Sequence, residues 1–314
     1  MALYLITGIG GFIGSSLARE LLHRGEQVRG VDNFSTGRRE NLSPILGQID
    51  FREADILDLD AMSSACDGVD YVLHQAAIPS VPKSVLEPIG SNRANVDGTL
   101  NVLVAARDAK VKRLVFAASS AAYGDTPTLP KHERMLPDPI SPYAVAKLAG
   151  EHYLTSFYRC YGLETVALRY FNIFGPRQDP SSAYSGVLAK FITMMLSGQQ
   201  PTMFGNGEQS RDFTYVDNAV EANLLACKAP AIQVAGKVFN VATGRRVTLN
   251  ETFKLLQSLT SYSGMPVYGA ERGGDIKHSL ADISLAEQHL GYKPKVNFEE
   301  GLRRTVEWYR SSRS

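Results

Sequence analysis

ITGIGGFIG, residues 6–14, stands between a short apolar run, LYLIT at 3–7, and an amphipathic stretch that continues to Gly25. Gly8, Gly11 and Gly14 fall at G-x-x-G-x-x-G spacing. That spacing suits a tight strand-to-helix turn whose backbone N–H groups and helix N-terminus face a pyrophosphate. Glycine spacing alone is weak evidence; a strand before it and a helix after it are what dinucleotide binding requires. The stretch predicts a dinucleotide-binding βα unit at the start of the chain.

The same rhythm continues outward from it. QVRGVD (27–32), IDFREAD (49–55), DYVLHQAA (70–77), KRLVFAAS (112–119) and ETVALRYFN (164–172) read as strands. TLNVLVAARDA (99–109) and YAVAKLAGEHYLTSFYRCYG (143–162) read as helices. Strands that alternate with helices and are apolar throughout predict a parallel sheet covered on both faces. After Gly175-Pro176 the rhythm breaks. The expectation is an α/β chain: a Rossmann-type doubly wound parallel sheet over 1–172 and a smaller mixed α/β substrate domain over 173–314. Residues 216–244, with the helical VDNAVEANLLAC and the strand-like KVFNVATG, are expected to return to the first domain.

Composition narrows the partners. The formal net charge of +1, from 33 basic and 32 acidic residues, sets up no field for nucleic acid or anionic membrane. Cys66, Cys160 and Cys227 are odd in number and lack metal-ligand spacing, so neither a disulfide framework nor a metal site is expected. MALYLITGIGG reaches its glycines too early for a signal sequence, and no apolar run approaches the roughly 20 residues that span a bilayer. A soluble cytoplasmic protein is expected.

Asp32 ends the second strand, where a carboxylate accepts from both ribose hydroxyls and repels a 2′-phosphate. That favours NAD over NADP. Arg38 and Arg39, which would favour the phosphate, read as a solvated loop pair. Asp55 and Ile56 follow the third strand, where an adenine can be edge-bonded and covered; Ile56 reads equally as core.

SPYAVAK (141–147) puts Tyr143 and Lys147 on one face of a helix opened by Pro142. A phenol titrates near pH 10, too high for a base at neutral pH. A cation about 4 Å away at an effective dielectric of about 20 contributes roughly 4 kcal/mol, about three pKa units. Lys147 and an oxidised nicotinamide are therefore expected together to bring Tyr143 into the range of a working base. Ser119 and Ser120 end the fifth strand, at the carboxyl edge where open α/β sheets bind ligands. Ser119 can hold or pass the substrate proton. Arg211 and Arg272 are forked donors of the kind that clamp a diphosphate.

TGxxGxxG, Ser119 and Tyr-x-x-x-Lys in this order resemble the extended short-chain dehydrogenase/reductase superfamily. DNFSTG (32–37), HQAA (74–77), LRYFN (168–172), QSRDFTYVDN (209–218) and RGGD (272–275) resemble the UDP-hexose 4-epimerases within it. The likeness runs from residue 3 to about residue 310. It implies catalysis by Ser119, Tyr143 and Lys147. It also implies NAD contacts from Phe12, Ile13, Asp32, Asn33, Ser35, Gly37, Asp55, Ile56, Gln75, Ala76, Ala77, Asn95 and Phe171, beside the glycines and the three catalytic residues. Nucleotide-sugar contacts are implied for Ser120, Asn172, Tyr184, Val187, Phe204, Arg211, Arg272, Asp275 and Ser279. Ile9, where many relatives carry a small residue, and the stiff Pro79–Pro82 loop depart from the pattern.

Dehydratases and decarboxylating relatives carry an acid in the two positions after the one matching Ser119. Here those positions are Ser120 and Ala121, and neither exchanges a proton at neutral pH. The resemblance thus implies 4-epimerisation of UDP-glucose and UDP-galactose through a transient 4-keto sugar. Small Ser279, where relatives restricted to plain hexoses carry a large aromatic, extends this to UDP-N-acetylglucosamine and UDP-N-acetylgalactosamine; capping of the following helix is its alternative use. UDP-glucuronate 4-epimerisation or another UDP-sugar modification is the alternative chemistry, and a non-catalytic NAD-binding regulator the alternative class. A homodimer is expected, with helices at about 88–109 and 143–161 forming a four-helix interface.

Overall fold

β1 (Leu3–Thr7) passes through the glycine turn into α1 (Phe12–His23), and β2 (Gln27–Asp32), β3 (Asp50–Glu53), α2 (Leu59–Cys66) and β4 (Tyr71–His74) follow. Next come α3 (Val81–Leu86), α4 (Pro88–Asn92) and α5 (Gly98–Asp108), the last two joined by a π turn at Arg93–Asp97. β5 (Arg113–Ser119), α6 (Pro142–Tyr161) and β6 (Glu164–Tyr170) complete the first series. The second half contains β7 (Ile173–Phe174), α7 (Val187–Leu196), β8 (Thr202–Phe204), β9 (Ser210–Arg211) and β10 (Thr214–Tyr215). α8 (Val216–Lys228), α9 (Ala231–Val234), β11 (Lys237–Val241), β12 (Val247–Thr248) and α10 (Leu249–Thr260) follow, then β13 (Val267–Gly269), α11 (Ser284–Leu290) and α12 (Phe298–Ser311). The computed structural model describes residues 1–180, 186–270 and 276–312.

Seven strands form one parallel sheet in the order β11-β6-β5-β4-β1-β2-β3. The sequence expectation of a Rossmann-type doubly wound sheet is met. From β1 the chain steps to β2 on one side and reaches β4 on the other, so the strand order reverses beside the glycine turn. Such a reversal opens a crevice at the strands' carboxyl ends, where open α/β sheets take their ligands.

Both sheet faces are buried, which is why the strands are apolar without alternation. Along β5, Leu114, Phe116 and Ala118 join Leu5 and Val72 in one cluster. Val115 and Ala117 join Ile6 and Leu73 in the other. α8 packs on the latter side and β11 hydrogen bonds in register with β6, from Lys237↔Val166 to Val241↔Tyr170. Short ladders pair β7 with β10, β9 with β12 and β8 with β13. No helix among the described residues is long and apolar enough to cross a membrane.

Candidate active site

Glycine is required twice at the first turn. Gly8 has φ +71°, its N–H donates to Val31 O at 2.8 Å, and a Cβ there would lie 2.7 Å from Ala76 Cα. A Cβ on Gly14 would lie 2.2 Å from Gly8 O, so α1 can start this close to β1 only without a side chain. Ile9 fits because Gly30 of β2 is bare: a Cβ on Gly30 would sit 2.3 Å from Ile9 Cδ1. Gly11, Phe12 and Ile13 place the first turn of α1 at the crevice.

Asp32 closes the turn from the end of β2. Its Oδ2 accepts from Gly10 N at 2.8 Å and its Oδ1 from Phe34 N at 2.7 Å. Burial raises its pKa against these two donors, and each oxygen keeps a lone pair for a further donor. Around it, Asn33 donates to Asp55 Oδ2 at 2.8 Å and accepts from Ser35 N at 2.9 Å, while Gly37 comes close to the Asp32 carboxylate. Ile56 lies in the core against Gly98 of α5. Arg38 and Arg39 are paired rather than merely solvated, with Asp179 at 2.7 Å and Glu53 at 2.6 Å.

Gln75, Ala76 and Ala77 leave β4 beside this turn. Thr99 Oγ1 donates to Asn95 O at 2.7 Å, so the 3.0 Å contact between His74 Nε2 and Thr99 Oγ1 has the ring as donor. Nδ1 then accepts from Thr7 Oγ1 at 2.7 Å, and Thr7 Oγ1 accepts from Ala76 N at 3.3 Å. Burial agrees with this neutral tautomer, pushing the His74 pKa down to about 3. Gln75 closes a ring with Tyr170 Oη at 3.2 Å and Asn223 Oδ1 at 3.2 Å, and Asn223 Nδ2 donates to Tyr170 Oη at 2.7 Å. Asn95 holds Ile78 N at 2.8 Å, which pins the loop after β4, and Pro82 lies in the first turn of α3.

Ser119 ends β5 and accepts from Ala121 N at 3.2 Å, with Ser120 next in the following turn. Tyr143 and Lys147 lie on the first two turns of α6, which starts where Ser141 Oγ accepts from Ala144 N at 3.2 Å. Lys147 is 3% exposed; its Nζ donates to Ala117 O at 2.8 Å and stands 4.7 Å from the centre of the Phe116 ring. Burial lowers its pKa to about 7, with Glu151 pulling it up. Burial also raises Tyr143, and the hydrogen bond from Ser119 only partly offsets this. The same burial that raises the phenol also disfavours the charge on Lys147.

Asn172 lies two residues past Tyr170, the register partner of Ser119. Its backbone has φ 40°; its Nδ2 donates to Asp212 O at 3.1 Å and lies 3.4 Å from Ser279 Oγ. From Asn172 a cleft of about 240 Å³ runs between Phe174, Val187, Phe204 and Arg211. Arg211 Nη1 donates to Ser210 O at 3.0 Å and to Lys277 O at 3.1 Å. The Phe171 ring is 1% exposed, packed with Tyr123, Ala242 and Ala281, and Tyr170 is the side chain brought to Gln75. Tyr184, Arg272 and Asp275 lie outside the described residues.

Sequence reasoning missed Asp212, whose carboxylate accepts from Thr243 N, Thr243 Oγ1, Gly244 N and Ala281 N at 2.7–3.3 Å. It ties together the segments that carry Arg211 and Ser279. An acid beside Arg211 was visible; that it would be buried was not. It also missed Glu151 and Arg169, whose one signal was an arginine inside an apolar strand.

The residues present fit a dinucleotide: a turn that only glycine can make, a carboxylate with free lone pairs at its rim, and a buried ammonium with donors to spare. Residues 4–242 match the NAD dependent epimerase/dehydratase family. The chain belongs to that family. This family member is 37% identical over 311 residues to the UDP-glucose 4-epimerase of Mycolicibacterium smegmatis, covering 98% of each chain. The solved UDP-glucose 4-epimerase of Thermotoga maritima, with UDP-glucose, matches at TM-score 0.94 and 41% identity over 99% of this chain and 100% of that one. The UDP-N-acetylglucosamine 4-epimerase of Methanobrevibacter ruminantium, in complex with UDP-N-acetylmuramic acid, matches at TM-score 0.94 and 42% identity over 99% of both.

Proposed function

We propose that the protein is an NAD-dependent 4-epimerase that interconverts UDP-glucose with UDP-galactose and UDP-N-acetylglucosamine with UDP-N-acetylgalactosamine, as a cytoplasmic homodimer. One observation carries the reading. Ser119, Tyr143 and the buried Lys147 meet at the carboxyl edge of the sheet, while the two positions after Ser119 offer no acid for elimination or decarboxylation.

Tyr143 takes the proton of the sugar C4 hydroxyl, and Ser119 bridges phenol and hydroxyl. Lys147, with one hydrogen bond among the described residues, has donors left that would hold the ribose of a bound cofactor, and in its charged form it favours the phenolate. NAD bound there would supply both a hydride acceptor and a hydride donor for C4, with no net redox change. Gly8, Gly11, Gly14 and the first turn of α1 would hold its pyrophosphate, and Asp32 its adenosine ribose. Arg211 and Arg272 hold the substrate diphosphate, and Asn172, Tyr184, Val187, Phe204 and Asp275 the nucleotide. The 4-keto sugar turns about that anchored diphosphate before reduction, and Ser279 leaves room beside C2.

The test is a coupled assay over a panel of UDP-sugars with no cofactor added. Turnover of both pairs is expected, with NAD released on denaturation; a stoichiometric NADPH requirement, or no turnover of any UDP-sugar, overturns the proposal. Tyr143→Phe keeps the ring and removes the base, so kcat falls by roughly 10²- to 10⁴-fold.

A further inference from the structure

Arg169 interrupts the apolar run of β6, and Glu151 lies on the buried face of α6. Both side chains are 4% exposed and meet through two bonds, Nε to Oε1 at 2.9 Å and Nη2 to Oε2 at 2.7 Å. Arg169 stacks 4.5 Å above the Tyr123 ring, and Tyr123 Oη donates to Asn240 Oδ1 at 2.7 Å, so the guanidinium is held from behind. Its Nη1 is buried without a hydrogen-bond partner among the described residues. A buried ion pair with an unsatisfied donor adds little net stability compared with an apolar packing of the same volume. Stability does not account for it here.

Glu151 stands one helical turn beyond Lys147 on the same face of α6. We infer that Glu151, clamped by Arg169, is a positioning residue for Lys147: its charge keeps the lysine an ammonium in a wall that would otherwise neutralise it. The inference rests on the reading of Lys147 as part of an NAD site. Burial drives Lys147 down and Glu151 opposes it. The other groups around the ammonium give no such support. Tyr143 on α6 is raised by burial and Ser119 on β5 is neutral, while Ala117 O contributes only a carbonyl dipole. His74 on β4, between its threonine partners, is held neutral by burial, and Arg169 on β6 is itself a cation directed at Glu151.

A lysine is charged below its pKa and neutral above it. Loss of Glu151 lowers that pKa, so whatever needs the ammonium fails from a lower pH. NAD affinity of stripped protein, measured by calorimetry between about pH 5.5 and about pH 9, reads this without turnover. In Glu151→Gln the alkaline fall in affinity, and the alkaline limb of kcat, move to lower pH by about one unit or more, with activity regained on the acid side. Glu151→Asp moves them less. The double variant Glu151→Gln/Arg169→Met removes the attracting carboxylate and the repelling guanidinium together; it unfolds at higher temperature than Glu151→Gln, and its NAD curve lies between that of Glu151→Gln and the wild type. The inference is overturned if Glu151→Gln binds NAD with wild-type pH dependence, or loses affinity equally at every pH. Should Glu151→Gln fail to fold, the milder Glu151→Asp decides: its NAD curve moves to lower pH, and a wild-type curve there overturns the inference. A wild-type protein inert to all UDP-sugars would refute the epimerase reading alone, because the NAD curves stand apart from turnover.

Discussion

Ser279 illustrates what one side chain decides. Its Oγ lies 3.4 Å from Asn172 Nδ2, and its own N–H donates to Ser210 O at 3.0 Å, so its backbone is fixed by the strand that leads into Arg211. A tyrosine there cannot retreat with the chain; it must fill the space beside Asn172. Overpacking of this kind costs typically about 1–3 kcal/mol, roughly 5- to 150-fold in specificity. Ser279→Tyr is therefore expected to abolish turnover of the acetamido sugars and to spare UDP-glucose and UDP-galactose, read as separate kcat/KM values. Equal loss of both pairs, or of neither, would remove Ser279 from the role of gate. Residues such as Gly8, Asp32 and Tyr143 could be proposed from sequence because their chemistry admits few substitutes at that spacing. The place of the Phe171 ring was less legible, because adjacent residues at a strand's end point to opposite sides, and spacing alone does not say that Tyr170 is the one that meets Gln75.

At the scale of elements, α6 links fold to chemistry, since its first two turns carry Tyr143 and Lys147. Ser141 satisfies Ala144 N, and Tyr143 N donates to Ser84 Oγ at 3.1 Å, so two of the orphan donors of the helix start have partners. Ser141→Ala removes the first of these and is expected to cost about 1 kcal/mol, seen as a lower urea midpoint with unchanged slope. Because Asp32 and the glycine turn lie elsewhere, NAD content should persist while kcat falls. Loss of NAD in proportion to kcat would show that the cap supports the whole fold rather than the placement of Tyr143. The seven-stranded sheet was legible for a related reason: long apolar runs and glycine turns are local signals. The two- and three-residue ladders β7–β10, β9–β12 and β8–β13 left no such signal, because they are fixed by partners far away in sequence.

At the scale of the molecule, one group of exposed apolar side chains lies on neighbouring helices. Val85, Leu86 and Ile89 on α3 and α4 are 61%, 75% and 78% exposed, and Val145 and Tyr153 on the outer face of α6 are 52% and 37% exposed. α3 and α4 pack against α6, so these residues share one side of the chain. Contiguous apolar surface of this kind on a water-facing helix layer marks an interaction site, and a twofold axis through it would bury it against its own copy. A stable dimer needs about 800 Å² from each partner. Sedimentation at micromolar concentration is expected to give a dimer of the chain. Ile89→Glu combined with Val145→Glu would place like charges on both sides of the axis and yield a folded monomer, its helix content unchanged by circular dichroism. The same helices carry the active site inward, Tyr143 and Lys147 on α6 and the Ser84 contact on α3, so the monomer should also lose part of its kcat. A wild-type chain that sediments as a monomer would leave the patch without its proposed occupant.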